Sequence, residues 1–344
     1  MMKTCTKLFV VLLLLTASQI GFAQDIHLSQ FYSQPLMINP AMTGNLNGSY
    51  RAGLTYRNQW ASVPAPYETF ILGFDMSLLS CQLGGDHIGA GLLIYRDQSG
   101  DGVLTETSAL ASLAYHKALD QNGQYVLSVG AQAGFTQKGV DFTRLTFPSQ
   151  IEDYQINPAL ANNESIENDQ FSYMDVRLGG LFTASVNEKV SLYAGGAYNH
   201  ATKPEETFLN SQGEANQLSP RLVLHGGGSI SVNEQFSVSP SLMYMSQASN
   251  TLTIAGAAFG YHFDSGRYDT GSALYLGGWY RFDDAVVMLL GIDFSEFKFG
   301  FSYDINVSDL KEASNGQGAV ELSLTYSGKT ADCKPNRKIY CPRF

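Results

Sequence analysis

Ala319-Val-Glu-Leu-Ser-Leu-Thr-Tyr326 decides the fold of this chain. In an extended backbone Val320, Leu322, Leu324 and Tyr326 point one way, while Glu321, Ser323 and Thr325 point the other. A period of two marks a strand lying between two different environments. The pattern recurs throughout residues 49–328. Phe297, Phe299, Phe301 and Tyr303 alternate with Lys298, Gly300, Ser302 and Asp304. Phe236, Val238, Leu242 and Tyr244 alternate with Ser237, Ser239, Ser241 and Met243. Met174, Val176, Leu178 and Phe182 alternate with Asp175, Arg177, Gly179 and Thr183.

The same alternation predicts strands at 49–58, 67–79, 87–96, 103–116, 124–136, 171–184, 189–199, 220–231, 235–245, 251–263, 272–282, 285–293, 296–305 and 317–328. About fourteen two-faced strands with aromatic and glycine residues predict an all-β, closed antiparallel barrel of the outer-membrane type. Thr253-Ile-Ala-Gly-Ala-Ala-Phe259 shows no clean phase and is read as the place for a bulge.

An even strand count puts both barrel ends on one side, expected to be the periplasm. The longest connections, 137–170 and 200–219, then share the external side. The repeated turns Ser185-Val-Asn-Glu188 and Ser231-Val-Asn-Glu234 share the periplasmic side. Long outer loops and short inner turns are the asymmetry such barrels show.

Composition points the same way. The chain carries 34 Gly, 19 Tyr and 20 Phe but only 15% charged residues. A soluble sandwich would put more charge on its outer faces. The net charge of −10 and the lack of a basic stretch before the C-terminal tail argue against nucleic-acid binding.

Residues 1–23 read as a signal peptide. Lys3 and Lys7 form a basic start, Leu8–Leu15 a short apolar run, and Gly21-Phe-Ala23 a cleavage site. The expected address is the bacterial outer membrane. Three cysteines would remain, Cys81, Cys333 and Cys341; their pairing is open, and the odd count leaves one free or intermolecular.

Several motifs together resemble the PorP/SprF family of the type IX secretion and gliding motility system. They begin with Ser29-Gln-Phe-Tyr32, Asn39-Pro-Ala41 with Gly44, Arg57-Asn-Gln-Trp60, Gly89-Ala-Gly-Leu-Leu93, Asp97-Gln-Ser-Gly100 and Ala114-Tyr-His116. Gly277-Gly-Trp-Tyr-Arg281 with Asp284-Ala285, Ser302-Tyr-Asp304 with Asn306-Val-Ser308, Glu321–Tyr326 and the closing Cys341-Pro-Arg-Phe344 extend the match. The resemblance implies an outer-membrane barrel of Bacteroidota-type bacteria without catalytic residues. It implies two kinds of partner: the C-terminal secretion domains of cargo adhesins, whose export and surface anchoring it assists, and periplasmic type IX components.

Other chemistry finds little support. Asp97-x-Ser99-x-Asp101-Gly102 resembles the start of a calcium loop, but its twelfth position is Ser108 where a Glu is needed. Gly226-Gly-Gly228 lies within a strand phase and lacks the Lys of a phosphate loop. His27, His87, His116, His200, His225 and His262 form no metal-ligand spacing. No catalytic residue, metal or cofactor is expected.

Four candidate regions remain. Arg51, Arg57, Asp75, Glu106, Asp175, Arg177, Lys298, Asp304 and Glu321 face the lumen in mixed charge, which suits pairing in a plugged or narrow barrel. Acidic Glu152, Asp153, Glu164, Glu167 and Asp169, with Tyr154, Phe208 and Leu209 as apolar anchors, are expected to hold cargo on the outer loops. The lead-in 24–48 is either a periplasmic segment or one tucked into the lumen; Pro35 and Pro40 keep it out of the sheet, and Asn39 is expected to fix a turn. Gln30, Tyr32, Asn39 and Pro40, together with Lys334, Arg337, Lys338 and Arg343 of the basic tail 329–344, are expected to dock the periplasmic machinery from one side. The competing functional class is a passive or selective outer-membrane channel for small solutes, apolar ones included.

Overall fold

Two-faced strands can satisfy every backbone group in a bilayer only by closing on themselves, since an open edge would leave unpaired groups in hydrocarbon. The computed structural model describes residues 25–63, 66–80, 83, 85–100, 103–152, 155–157, 160, 169–208, 217–263 and 272–329. In it, fourteen strands close in chain order into one antiparallel barrel. They are β1 (Tyr50–Gln59), β2 (Tyr67–Leu78), β3 (His87–Ser99), β4 (Leu104–Ala118), β5 (Tyr125–Gly139), β8 (Gln170–Ser185), β9 (Val190–Asn199), β10 (Arg221–Ser231), β11 (Phe236–Gln247), β12 (Asn250–His262), β13 (Ala273–Arg281), β14 (Ala285–Phe294), β15 (Phe297–Asn306) and β16 (Gln317–Gly328). The seam pairs β1 with β16 from Tyr50↔Gly328 to Gln59↔Ala319. A small hairpin of β6 (Ile151–Glu152) and β7 (Gln155–Ile156) sits in the long connection after β5, where the sequence reading placed only loop.

The two faces follow the alternation. Phe70, Leu72, Leu113, Val129, Phe135, Met174, Leu276 and Phe299 are exposed on the outside. That much open apolar surface suits a lipid-facing wall and would be a liability in water. A membrane-crossing strand needs about 9–11 residues; β13 has 9, while β5 and β8 have 15 and 16. The excess lies at one end: β9 pairs with β8 only from Leu178 onward, so Gln170–Arg177 rise beyond it. That end carries the connections 140–169 and 200–220. The opposite end carries the start of β1, the end of β16 and the tight turns at Asn187 and Asn233. Each of these asparagines accepts two backbone N–H bonds through Oδ1.

The lumen is filled by the lead-in. Residues 28–46 are all buried, in short helical turns at Phe31–Ser33, Pro35–Ile38 and Pro40–Met42. Pro35 and Pro40 stand in the first turns, where a missing N–H costs nothing. Asn39 Oδ1 accepts the Ala41 N–H at 2.9 Å and fixes the turn between them. Phe31, Tyr32 and Ile38 pack on Ala197, Val223, Met243, Ile254, Trp279 and Leu289. On the opposite wall Leu28, Leu36 and Met37 pack on Ile71, Leu93, Tyr95 and Leu110. Each such side chain contributes roughly 1.5–3 kcal/mol relative to a water-filled lumen.

This packing corrects one expectation. β12 runs unbroken in register against both neighbours and carries no bulge. Its phase is blurred because its inner face is apolar too: Ile254 and Ala258 meet the plug cluster. The register break lies instead between Tyr303 and Ile305, where β15 pairs with β16.

Candidate functional site

The plug threads the barrel from one end to the other, and four groups of wall residues hold it. At its start, Asp25 Oδ2 lies 2.5 Å from His200 Nε2 and 3.3 Å from Arg221 Nη1. Both partners lie at the long-loop end. His200 Nδ1 also meets Asp175 Oδ1 at 3.0 Å, and Arg177 Nε donates to Asp175 Oδ2 at 2.8 Å. Burial alone would keep the His200 imidazole neutral, but the Asp25 and Asp175 carboxylates outweigh it and raise its pKa above 6.5. Burial likewise works against an ionised Asp25, yet Arg221 and His200 hold its pKa well below the usual carboxylate range.

A second group clamps Ser29 and Gln30. Glu321 accepts both of their backbone N–H groups at 2.9 Å. Arg57 donates to Glu321 at 3.1 Å and to Ser29 Oγ at 2.7 Å. Ser29 Oγ donates to Asp304 at 2.6 Å, and Arg281 reaches the same carboxylate at 3.0 Å. Two arginines thus face two carboxylates, with the plug's backbone completing the cage. Charges buried this deeply persist only when paired and hydrogen-bonded.

Midway, Gln34 Nε2 donates to Thr55 Oγ1 at 3.0 Å. Asn39 Nδ2 donates to the Gly180 carbonyl at 2.9 Å and lies 3.0 Å from His225 Nε2. At the tight-turn end His116 Nε2 lies 2.7 Å from the Thr43 carbonyl, which can only accept, so Nε2 carries the proton. Gly44 N–H donates to Asp75 Oδ2 at 2.8 Å, and Arg51 grips the same carboxylate with two bonds. The wall gives the plug room through glycine. A Cβ on Gly130 would stand 2.5 Å from the Pro40–Ala41 backbone, and one on Gly89 or Gly179 would collide with Thr43 or Asn39.

Residues 20–326 match the family model described as type IX secretion system membrane protein PorP/SprF. The chain belongs to the PorP/SprF family. It is thereby a membrane protein of the type IX secretion system, with the fold of an outer-membrane barrel. Among solved structures it is similar to the Pseudomonas putida toluene transporter TodX, at 11% identity and TM-score 0.50 over 90% of this chain and 96% of that one. The Ralstonia pickettii toluene transporter TbuX gives 12% and 0.48 over 85% and 92%. The CymD monoaromatic hydrocarbon channel gives 13% and 0.43 over 90% and 95%. At these identities the likeness concerns the fold. No curated protein matches.

For this PorP/SprF chain the structure revises several expectations. Gln30, Tyr32, Asn39 and Pro40 do not form a periplasmic docking face: all four are buried inside the barrel. Nor does the whole lead-in lie on one side. Gly48 sits beside the Gly328 carbonyl at the tight-turn end, but Asp25 is at the opposite end. Phe208 is not an open anchor, since its ring packs edge-on against Phe142 at 5.9 Å and Phe171 at 4.7 Å. Glu152 is exposed on the β6–β7 hairpin. Arg51, Arg57, Asp175, Arg177, Asp304 and Glu321 line the lumen in the pairs given above, and Lys298 meets Asp293 at 3.3 Å. Asp153, Tyr154, Leu209, Lys334, Arg337, Lys338, Arg343 and the cysteines Cys81, Cys333 and Cys341 lie outside the described residues, as does the leader 1–23. Among the described residues no His, Cys, Asp and Glu cluster has metal-binding geometry.

Sequence reasoning missed Asp25, His200, Arg221 and Arg281. Arg221 and Arg281 sit in phase with the inward face, a signal available in the sequence. Asp25 and His200 lie outside strands, where phase says nothing.

Proposed function

We propose that this protein is an accessory barrel of type IX secretion that binds the C-terminal secretion domains of cargo adhesins and supports their export and surface anchoring. The observation that carries this reading is the filled lumen. A plug buried from residue 28 to 46 and packed on apolar walls occupies the lumen through which a polypeptide would have to pass. The barrel then serves as a platform, and cargo docks on its ends. The long-loop end, facing outward once the leader at 1–23 has directed export, is the cargo side. Its rim includes Glu152, followed in the sequence by Asp153 and Tyr154, and Phe208, followed by Leu209. The basic tail with Lys334, Arg337, Lys338 and Arg343 is the element left to meet an acidic periplasmic component, by an attraction that weakens with salt. Affinity purification from native membranes tests the reading. Recovery of a large secreted adhesin, lost when residues 140–169 and 200–220 are shortened in a still-folded barrel, is expected. Cargo retention unchanged by that deletion would refute the placement.

A further inference from the structure

One carboxylate at the start of the plug touches both stems of the second long loop. His200 is the first residue after β9 and Arg221 the first of β10. Asp25 bonds both, at 2.5 and 3.3 Å. The grip extends further: Arg221 Nη1 donates to the Ile26 carbonyl at 3.3 Å, the Asp25 N–H donates to Gln247 Oε1 at 3.2 Å, and Gln247 Nε2 donates to the Ser219 carbonyl at 3.2 Å. His200 is held with φ at 56°, a left-handed conformation that costs a non-glycine residue energy and persists only where surroundings enforce it. Asp25 and Asp175 contribute to that enforcement, one on each ring nitrogen. Two backbone bonds act beside them: the Ala201 N–H donates to the Val176 carbonyl at 2.9 Å and the Lys203 N–H to the His200 carbonyl at 3.0 Å. β9 and β10 already pair through Arg221↔Asn199, so the extra bonds act on the loop leaving the wall.

We infer that the amino end of the plug is a positioning element for the two stems 200–208 and 217–220 that lead from β9 and into β10, with Asp25 as the residue that ties them together. The lumen segment is then part of the outer docking apparatus as well as filler. This inference rests on the proposed placement of cargo at the long-loop end only for its consequence in binding; the clasp itself stands on the contacts.

The experiment uses the full chain in detergent micelles, with Asp25→Asn and His200→Gln cutting the clasp from its two sides. Heat-modified gel mobility verifies that each barrel is folded. Amide hydrogen exchange is then read at 200–208 and 217–220, with the 185–190 turn as reference. In both variants the stems should exchange about tenfold faster or more while the reference is unchanged. Unchanged exchange at the stems in both variants overturns the inference. Cargo retention separates the two layers. Faster stems with reduced retention support clasp and placement together, whereas faster stems with full retention leave the clasp standing and remove cargo from this loop.

Discussion

At the scale of single residues, this barrel is a set of buried charges that need the plug to be complete. Glu321 shows the logic. It faces Arg57 and accepts two plug N–H groups, so Glu321→Ala leaves an arginine and two backbone donors short of a partner. Breaking a buried pair costs about 3–5 kcal/mol, and urea unfolding in micelles should report a loss of that order. His200 and Asp25 make the plug's start sensitive to pH in both directions. The raised imidazole favours docking fully below its undocked value of 6.5, and that contribution is lost as pH rises through the docked value. The depressed Asp25 favours docking above 3.8, and its contribution is lost on acidification. Protection from hydrogen exchange at Ile26 and His27, relative to the intrinsic rate at each pH, should therefore be greatest between these limits, and His200→Gln should flatten the alkaline limb and move the acid limb to higher pH, because His200 helps to hold the Asp25 carboxyl down.

At the scale of elements, plug and wall are fitted to each other. Gly130→Ala would place a Cβ 2.5 Å from plug backbone that cannot rotate away. A loss of about 1–3 kcal/mol is expected, as for other overpacked cores. Gly180→Ala, whose Cβ would stand 4.0 Å from its nearest neighbour, should be nearly silent when both are compared by urea unfolding in micelles. Trp279→Ala removes the ring that lies tilted against Tyr32 with centroids 5.4 Å apart and should cost about 3–5 kcal/mol. The fit also explains what could be read from the chain. Strand bounds were legible because most walls separate lipid from polar lumen, and Ala319–Tyr326 shows both faces at once. Ile254 and Ala258 hid the phase of β12 because their inward neighbours are Phe31, Tyr32 and Ile38. The lead-in could be recognised as non-strand from Pro35 and Pro40, but its place could not, since nothing local in Gln30 or Asn39 names Glu321 or Gly180 as a partner. Inward Asp175, Arg177, Asp304 and Glu321 did announce a crowded lumen. Their pairing awaited the closed barrel.

At the scale of the whole molecule, the barrel is a filled post. Its wall shows lipid a belt of Leu, Phe and Val, and its long-loop end stands taller through β5 and β8. Residues 28–46 occupy the lumen, and under the proposed function the protein acts as a platform and not a conduit. Single-channel recording in planar lipid bilayers tests this most directly. The wild-type protein is expected to give no steady conductance, while a variant lacking 28–46, folded by heat-modified mobility, opens a lasting pore. A steady open pore in the wild-type protein would contradict the account.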